Sequence, residues 1–185
     1  MVRRKGSERM RALNADEIEV RVGQVYNGAV SMLLYKNARV DMAILDETYG
    51  EFGWQCDYKE LKGNMYCGIA VLNEAVGEWV WKWDCGTESN TEKEKGEASD
   101  AFKRAGFRWG IGRELYTAPF IYMKVATKPK AGGRGYELND PKELRGIYVS
   151  KIVTDEVNGK YKITELELSQ KAQGREWVVY TWKER

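Results

Sequence analysis

Lys103, Arg104 and Arg108, with Phe107 among them, lie in the run from Glu92 to Tyr122 (EKEKGEASDAFKRAGFRWGIGRELYTAPFIY), where positive charge and aromatic rings are densest. Long cations neutralise phosphates, and a ring beside them offers a face to an unstacked base. An ordinary solvated helix face with a chance Phe has the same composition, so the run alone leaves both readings open. Ala98, Ala101, Phe102, Ala105, Trp109 and Gly112 recur at offsets of three and four. At roughly 100° per residue they share one face of a helix expected between Glu97 and Tyr116. That face goes to a core, and Lys103, Arg104, Phe107 and Arg108 go to the other side. Gly106 and Gly110 fall inside this helix, each at a cost of about 1 kcal/mol against Ala. Something is therefore expected to approach the backbone there: a crossing strand in the ordinary case, or a sugar-phosphate chain or second subunit in the functional one. Gly110-Ile111-Gly112 does not make a dinucleotide fingerprint, because it ends a helix instead of opening one after a strand.

Other chemistries have less support. The chain has no histidine, which removes the commonest general base and metal ligand. Cys56, Cys67 and Cys85 are odd in number and lack C-x-x-C spacing, so reduced core thiols of a cytosolic protein are expected, not a disulfide framework or a zinc ribbon. No G-x-x-x-x-G-K-[ST] loop is present. No catalytic residue, metal or cofactor is expected. The alternative is a metal-dependent nuclease or other DNA-processing enzyme, whose carboxylates would come from Asp41, Asp46, Glu47 and Asp57. A plain adaptor domain also fits the composition. No long apolar run suggests a cleaved signal or a membrane span, so no membrane partner is expected. A formal net charge of +2 over 185 residues is small, so a nucleic-acid reading depends on where the charges fall. They cluster at Arg3 to Arg11, along the helix, and at Lys124, Lys128, Lys130 and Arg134.

The elements that must position these residues follow from the pattern. Residues 1–17 read as a basic arm, disordered or foreign to the native chain. Ile18, Val20, Val22 and Val25 alternate with polar residues, Asn27-Gly28 makes a two-residue turn, and Ala29 to Tyr35 returns as a second strand. A short helix then runs from Ala38 to Gly50. Trp54 to Leu61, Met65 to Leu72 and Trp79 to Trp83 make a three-stranded meander. Its last strand alternates Trp79, Trp81 and Trp83 with polar and aliphatic residues. Such a stripe usually faces a core, with base stacking as the alternative. After the long helix, residues 128–141 read as a flexible basic linker, and 142–185 as a C-terminal β-unit of three strands with an Asn158-Gly159 turn. The expected class is α+β, with a core spanning 18–127.

In that order the residues resemble a known family. Ala38-Arg39-Val40 to Gly53-Trp54, the tryptophan-rich meander and Gly86-Thr87-Glu88-Ser89 to Gly112 are similar to the annealing domain of the Rad-fifty-two superfamily. The likeness is to its phage and prophage single-strand annealing proteins in particular. Gly96 to Ala105 and Gly110 to Arg113 resemble the signature helix of those proteins. The resemblance covers Ile18 to Tyr122. It implies a β-β-β-α annealing core that assembles into a homo-oligomeric ring or helical filament. Single-stranded DNA would lie in a basic groove with its bases outward, and annealing in recombination and double-strand break repair would need no ATP. It implies an inner DNA site at Arg39, Lys103 and Arg104, with Arg108 near a further arginine, and an outer site whose nearest candidates are Lys93 and Lys95. It also implies a host or phage single-strand binding protein as partner, and the cytoplasm of a bacterial host as location for a phage or prophage product.

Overall fold

In the computed structural model the chain is α+β, with eleven strands and two α-helices among the described residues. Those are residues 9–87 and 93–184, the side chains of 93–95 excepted. In chain order the elements are β1 (Glu19–Tyr26), β2 (Ala29–Tyr35), α1 (Ala38–Tyr49), β3 (Trp54–Leu61), β4 (Asn64–Asn73), β5 (Glu78–Cys85), α2 (Lys93–Trp109), β6 (Ile121–Lys124), β7 (Thr127–Pro129), β8 (Tyr136–Leu138), β9 (Ile147–Val157), β10 (Lys160–Ala172) and β11 (Arg175–Lys183). All the pairings among these strands are antiparallel. No helix among the described residues is long and apolar enough to cross a membrane.

The chain divides into two compact units. One holds Asn37–Gly112 with residues 9–12; the other holds Leu13–Lys36 and Arg113–Arg185. This differs from the division at residues 17/18 and 127/128 expected from the sequence. The reason is a pairing between distant segments: β2 takes β6 as its neighbour, from Ala29↔Lys124 to Met32↔Ile121. The hairpin therefore belongs with the C-terminal strands.

In the first unit, β3, β4 and β5 form a sheet in that order. α2 covers one face of it. Ala101, Phe102 and Ala105 are buried on the helix, as their spacing requires, and Cys67, Ile69 and Val71 are buried on β4. The Trp54 ring meets Phe102 edge-on with centroids 6.1 Å apart, and Trp109 Nε1 donates to the Ile69 carbonyl at 2.9 Å. α1 starts at Asn37, whose side chain accepts from the Arg39 and Val40 N–H groups at 2.9 and 3.3 Å, satisfying donors that the first turn leaves unpaired. α1 also explains Gly106. A Cβ there would stand 2.3 Å from Asp41 Oδ1, on a carboxylate fully buried between the two helices. The close neighbour is thus a helix of the same unit, neither a strand nor a ligand. Gly110 lies past the end of α2, with φ +112°, so the helix stops at Trp109 and a 3-10 turn, Arg113–Thr117, occupies the stretch expected to continue it. Of the N-terminal residues, Met10 is buried and Arg11 bonds Glu47 at 2.7 and 3.0 Å, so from Met10 onward the expected arm is packed structure. Residues 1–8 lie outside the described residues.

In the second unit, β1, β2 and β6 form one sheet and β9, β10 and β11 another. Leu13 is buried, and its N–H donates to Glu114 Oε1 at 2.6 Å. Thr117 Oγ1 accepts from the Ile163 N–H at 2.8 Å, tying the 3-10 turn to β10. Asn27-Gly28 and Asn158-Gly159 are the expected two-residue turns. Residues 128–141 are not a plain linker: β7 pairs β8 from Thr127↔Leu138 to Pro129↔Tyr136, and Lys128 meets Glu137 at 3.3 Å. On the sheet of β9, β10 and β11, Glu165 bonds Lys151 at 2.6 Å and also Lys183, and these hydrogen bonds pull its carboxyl down to about 2.

Candidate nucleic-acid interface

The geometry of α2 decides what its cations can do. Arg104 and Arg108, one turn apart, lean over the edge of β5 onto a single carboxylate: Arg104 Nε stands 3.4 Å from Asp84 Oδ1, and Arg108 Nε stands 2.9 Å from Asp84 Oδ2. Asp84 is held in turn by the Cys85 N–H, which donates to Oδ1 at 2.8 Å. Burial alone would raise its pKa. The Cys85 N–H, the Arg108 hydrogen bond and the two guanidinium charges outweigh that and leave it below the ordinary aspartate range. Two residues back on the same side of β5, Lys82 places Nζ 4.0 Å over the Trp109 ring and donates to the Arg108 carbonyl at 3.3 Å. Three cations and one carboxylate therefore line the β5 flank of α2, and the guanidinium groups are about half exposed.

The single cationic row expected from spacing is split. At roughly 100° per residue, Lys103 falls on the flank that Gly106 turns toward α1, well round the helix from Arg104 and Arg108. Lys103 is half-buried, with no ion-pair partner among the described residues. Arg39 is exposed in the first turn of α1 and bonds none of the other three. All four belong to the first unit. Lys93 and Lys95 open α2, and their side chains lie outside the described residues.

Asp84 and Lys82 were missed by sequence reasoning. Alternation along β5 shows that they share a side of the strand, but only the packing of α2 shows that this side meets the arginines. The tryptophans of β5 consequently face away from α2, so the expectation that they line a core is corrected: Trp79 and Trp81 keep 37% and 36% of their surface in solvent.

The carboxylates that a nuclease would need are engaged separately. Asp41 is buried under Gly106, Asp46 accepts from Trp54 Nε1 at 2.7 Å, Glu47 holds Arg11, and Asp57 lies 3.7 Å from Lys59. Among the described residues no three His, Cys, Asp or Glu side chains gather as a metal site. Cys56 and Cys67 are not poised as nucleophiles either. Burial first, then the neighbouring Cys56, pushes Cys67 up to about 12, and burial with Asp57 raises Cys56.

Comparison with family models, with curated proteins and with solved structures finds no match to this chain.

Proposed function

We propose that the protein binds single-stranded DNA through its backbone and anneals complementary strands without ATP, working as a homo-oligomeric ring or filament in recombination and break repair. The observation that carries this reading is the flank of α2. It offers two half-exposed guanidinium groups held one turn apart by a shared carboxylate, with Lys82 beside them, in a sequence that resembles annealing proteins at this helix. Such an array neutralises phosphates and reads no base edge, which suits a protein that must accept any sequence and leave the bases free to pair. Lys103 and Arg39 extend the positive surface of the same unit. The oligomer finds support in β3, an edge strand exposed along nearly its whole length, and in β5 at the opposite edge of that sheet.

The test is binding and annealing of oligonucleotides by the whole chain with EDTA present and nucleotide absent. Annealing that persists under these conditions, with affinity falling steeply as salt rises and indifferent to sequence, is the expected result. Annealing that stops on chelation, or cleavage of the DNA when magnesium is restored, would overturn the reading in favour of a metal-dependent enzyme.

A further inference from the structure

The face of the β3–β4–β5 sheet turned away from α2 carries Trp79, Trp81 and Trp83, opposite Leu72, Ala70 and Gly68 of β4. Gly68 determines how they lie. A Cβ at that position would stand 2.5 Å from the Trp83 ring, so the missing side chain lets the indole settle against the strand. Trp81 lies almost parallel to Trp83, with centroids 5.3 Å apart and planes inclined by 20°. From β3, Lys59 reaches across the sheet and holds Nζ 4.4 Å over the Trp83 ring. The result is a backed row of rings with an ammonium group on it, open to solvent at Trp79 and Trp81.

We propose that this row is a base-stacking platform for single-stranded nucleic acid, on which unpaired bases lie against Trp81 and Trp79 while Lys59 meets a backbone phosphate. The ligand class rests on the function proposed above, but the residues, the sheet face and the type of contact are separate from the α2 flank. A tryptophan side chain offers about 250 Å² at most, so rings exposed by about a third present on the order of 100 Å² each, enough to give each base a ring to cover. Charge argues for this occupant over a second copy of the chain: Lys59, 3.7 Å from the exposed Asp57 carboxylate, keeps its ammonium over the Trp83 ring, which favours a ligand with flat groups on an anionic chain. Alternate residues on a strand are about 6.7 Å apart, against a rise of about 3.4 Å per base in a duplex. The platform therefore fits bases drawn apart from one another. A duplex, whose bases cover each other, gains nothing from it.

The experiment compares oligo(dT) with an abasic oligonucleotide of equal length, by anisotropy at one salt concentration, for the wild-type chain, Trp81→Leu, Trp79→Leu, Trp81→Phe and Lys103→Ala. Wild type should bind oligo(dT) at least about tenfold more tightly than the abasic chain. Trp81→Leu and Trp79→Leu should each lose much of that ratio while holding the abasic chain as wild type does, and Trp81→Phe should keep part of it. Lys103→Ala should weaken both ligands alike and leave the ratio as it was. If both leucine variants keep the wild-type ratio, the platform is overturned, and a weakened Lys103→Ala leaves the α2 reading standing. Wild type that binds neither oligonucleotide overturns both. A leucine variant that sediments as a smaller species with its ratio unchanged would mark this face as a contact between copies and overturn the platform.

Discussion

Asp84 is the residue whose change separates the roles of the cations around it. With its folded pKa below the ordinary aspartate range, its stabilising effect is complete above that range and disappears as pH falls through the lower value it has in the folded protein. Thermal melts of wild type and Asp84→Asn should therefore differ at neutral pH and converge in strong acid. A difference that persists unchanged in acid would mean that the charge of Asp84 contributes nothing. Glu165 provides a second acid-labile contact, lost as pH drops toward about 2, and Glu165→Gln should remove that share of the decline. Lys103→Ala and Arg39→Ala should act on DNA and hardly at all on folding, because Arg39 is exposed and the half-buried Lys103 has no ion-pair partner among the described residues to lose. Each should flatten the slope of log affinity against log salt by about 0.7, by roughly the same amount for every sequence tested. Unchanged slopes in both variants would remove these two residues from the interface.

Phe102 is nearly inaccessible and touches Trp54, so Phe102→Ala should cost about 3–5 kcal/mol in a denaturant titration. Gly106→Ala forces a Cβ against the buried Asp41, and overpacking of about 1–3 kcal/mol should exceed the ~1 kcal/mol that Ala gains in a helix. A net loss of up to about 2 kcal/mol is expected; a more stable variant would show that α1 yields easily. These elements also show what could be read without coordinates. Hairpins closed by Asn27-Gly28 and Asn158-Gly159, the meander and the buried face of α2 depend on residues close in sequence, and alternation or helical spacing reveals them. The end of α2 was misplaced because Gly110 looks like a helix residue until its positive φ is known. β7 and β8 are too short to show a period among the glycines and lysines of 128–141. Pairing of the hairpin with β6, the contact of Asp84 with two arginines and the outward turn of the tryptophans all depend on which distant surfaces meet, and local pattern is silent on that. That Arg104 and Arg108 lie off the buried face of α2 was legible from helical spacing, but the separation of Lys103 onto another flank was not.

At the scale of the whole chain, all of the first unit but its N-terminal residues is an insertion in the second: the polypeptide leaves the second unit at Lys36, builds Asn37–Gly112, and returns at Arg113. A fragment of residues 37–112 mixed with, or joined to, the segment holding Met10 and Arg11 should accordingly keep its secondary structure and melt cooperatively; if that pairing stays unfolded, the division is not one of stability. Sedimentation of the full chain at micromolar concentration should show a species many times the 21.3 kDa of one subunit, and a monomer with and without DNA would count against the proposed assembly. The insertion also imposes an order on synthesis. Val30 and Met32, buried in the finished protein, emerge about 90 residues before Ile121 and Met123, the β6 residues they pair with. At roughly 5–20 residues per second, a nascent hairpin waits roughly 5–20 s with one strand edge unpaired while the whole inserted unit is made and folds ahead of it. Aggregation during expression should therefore begin at β2, and a chain reordered so that β6 follows β2 directly would close that interval.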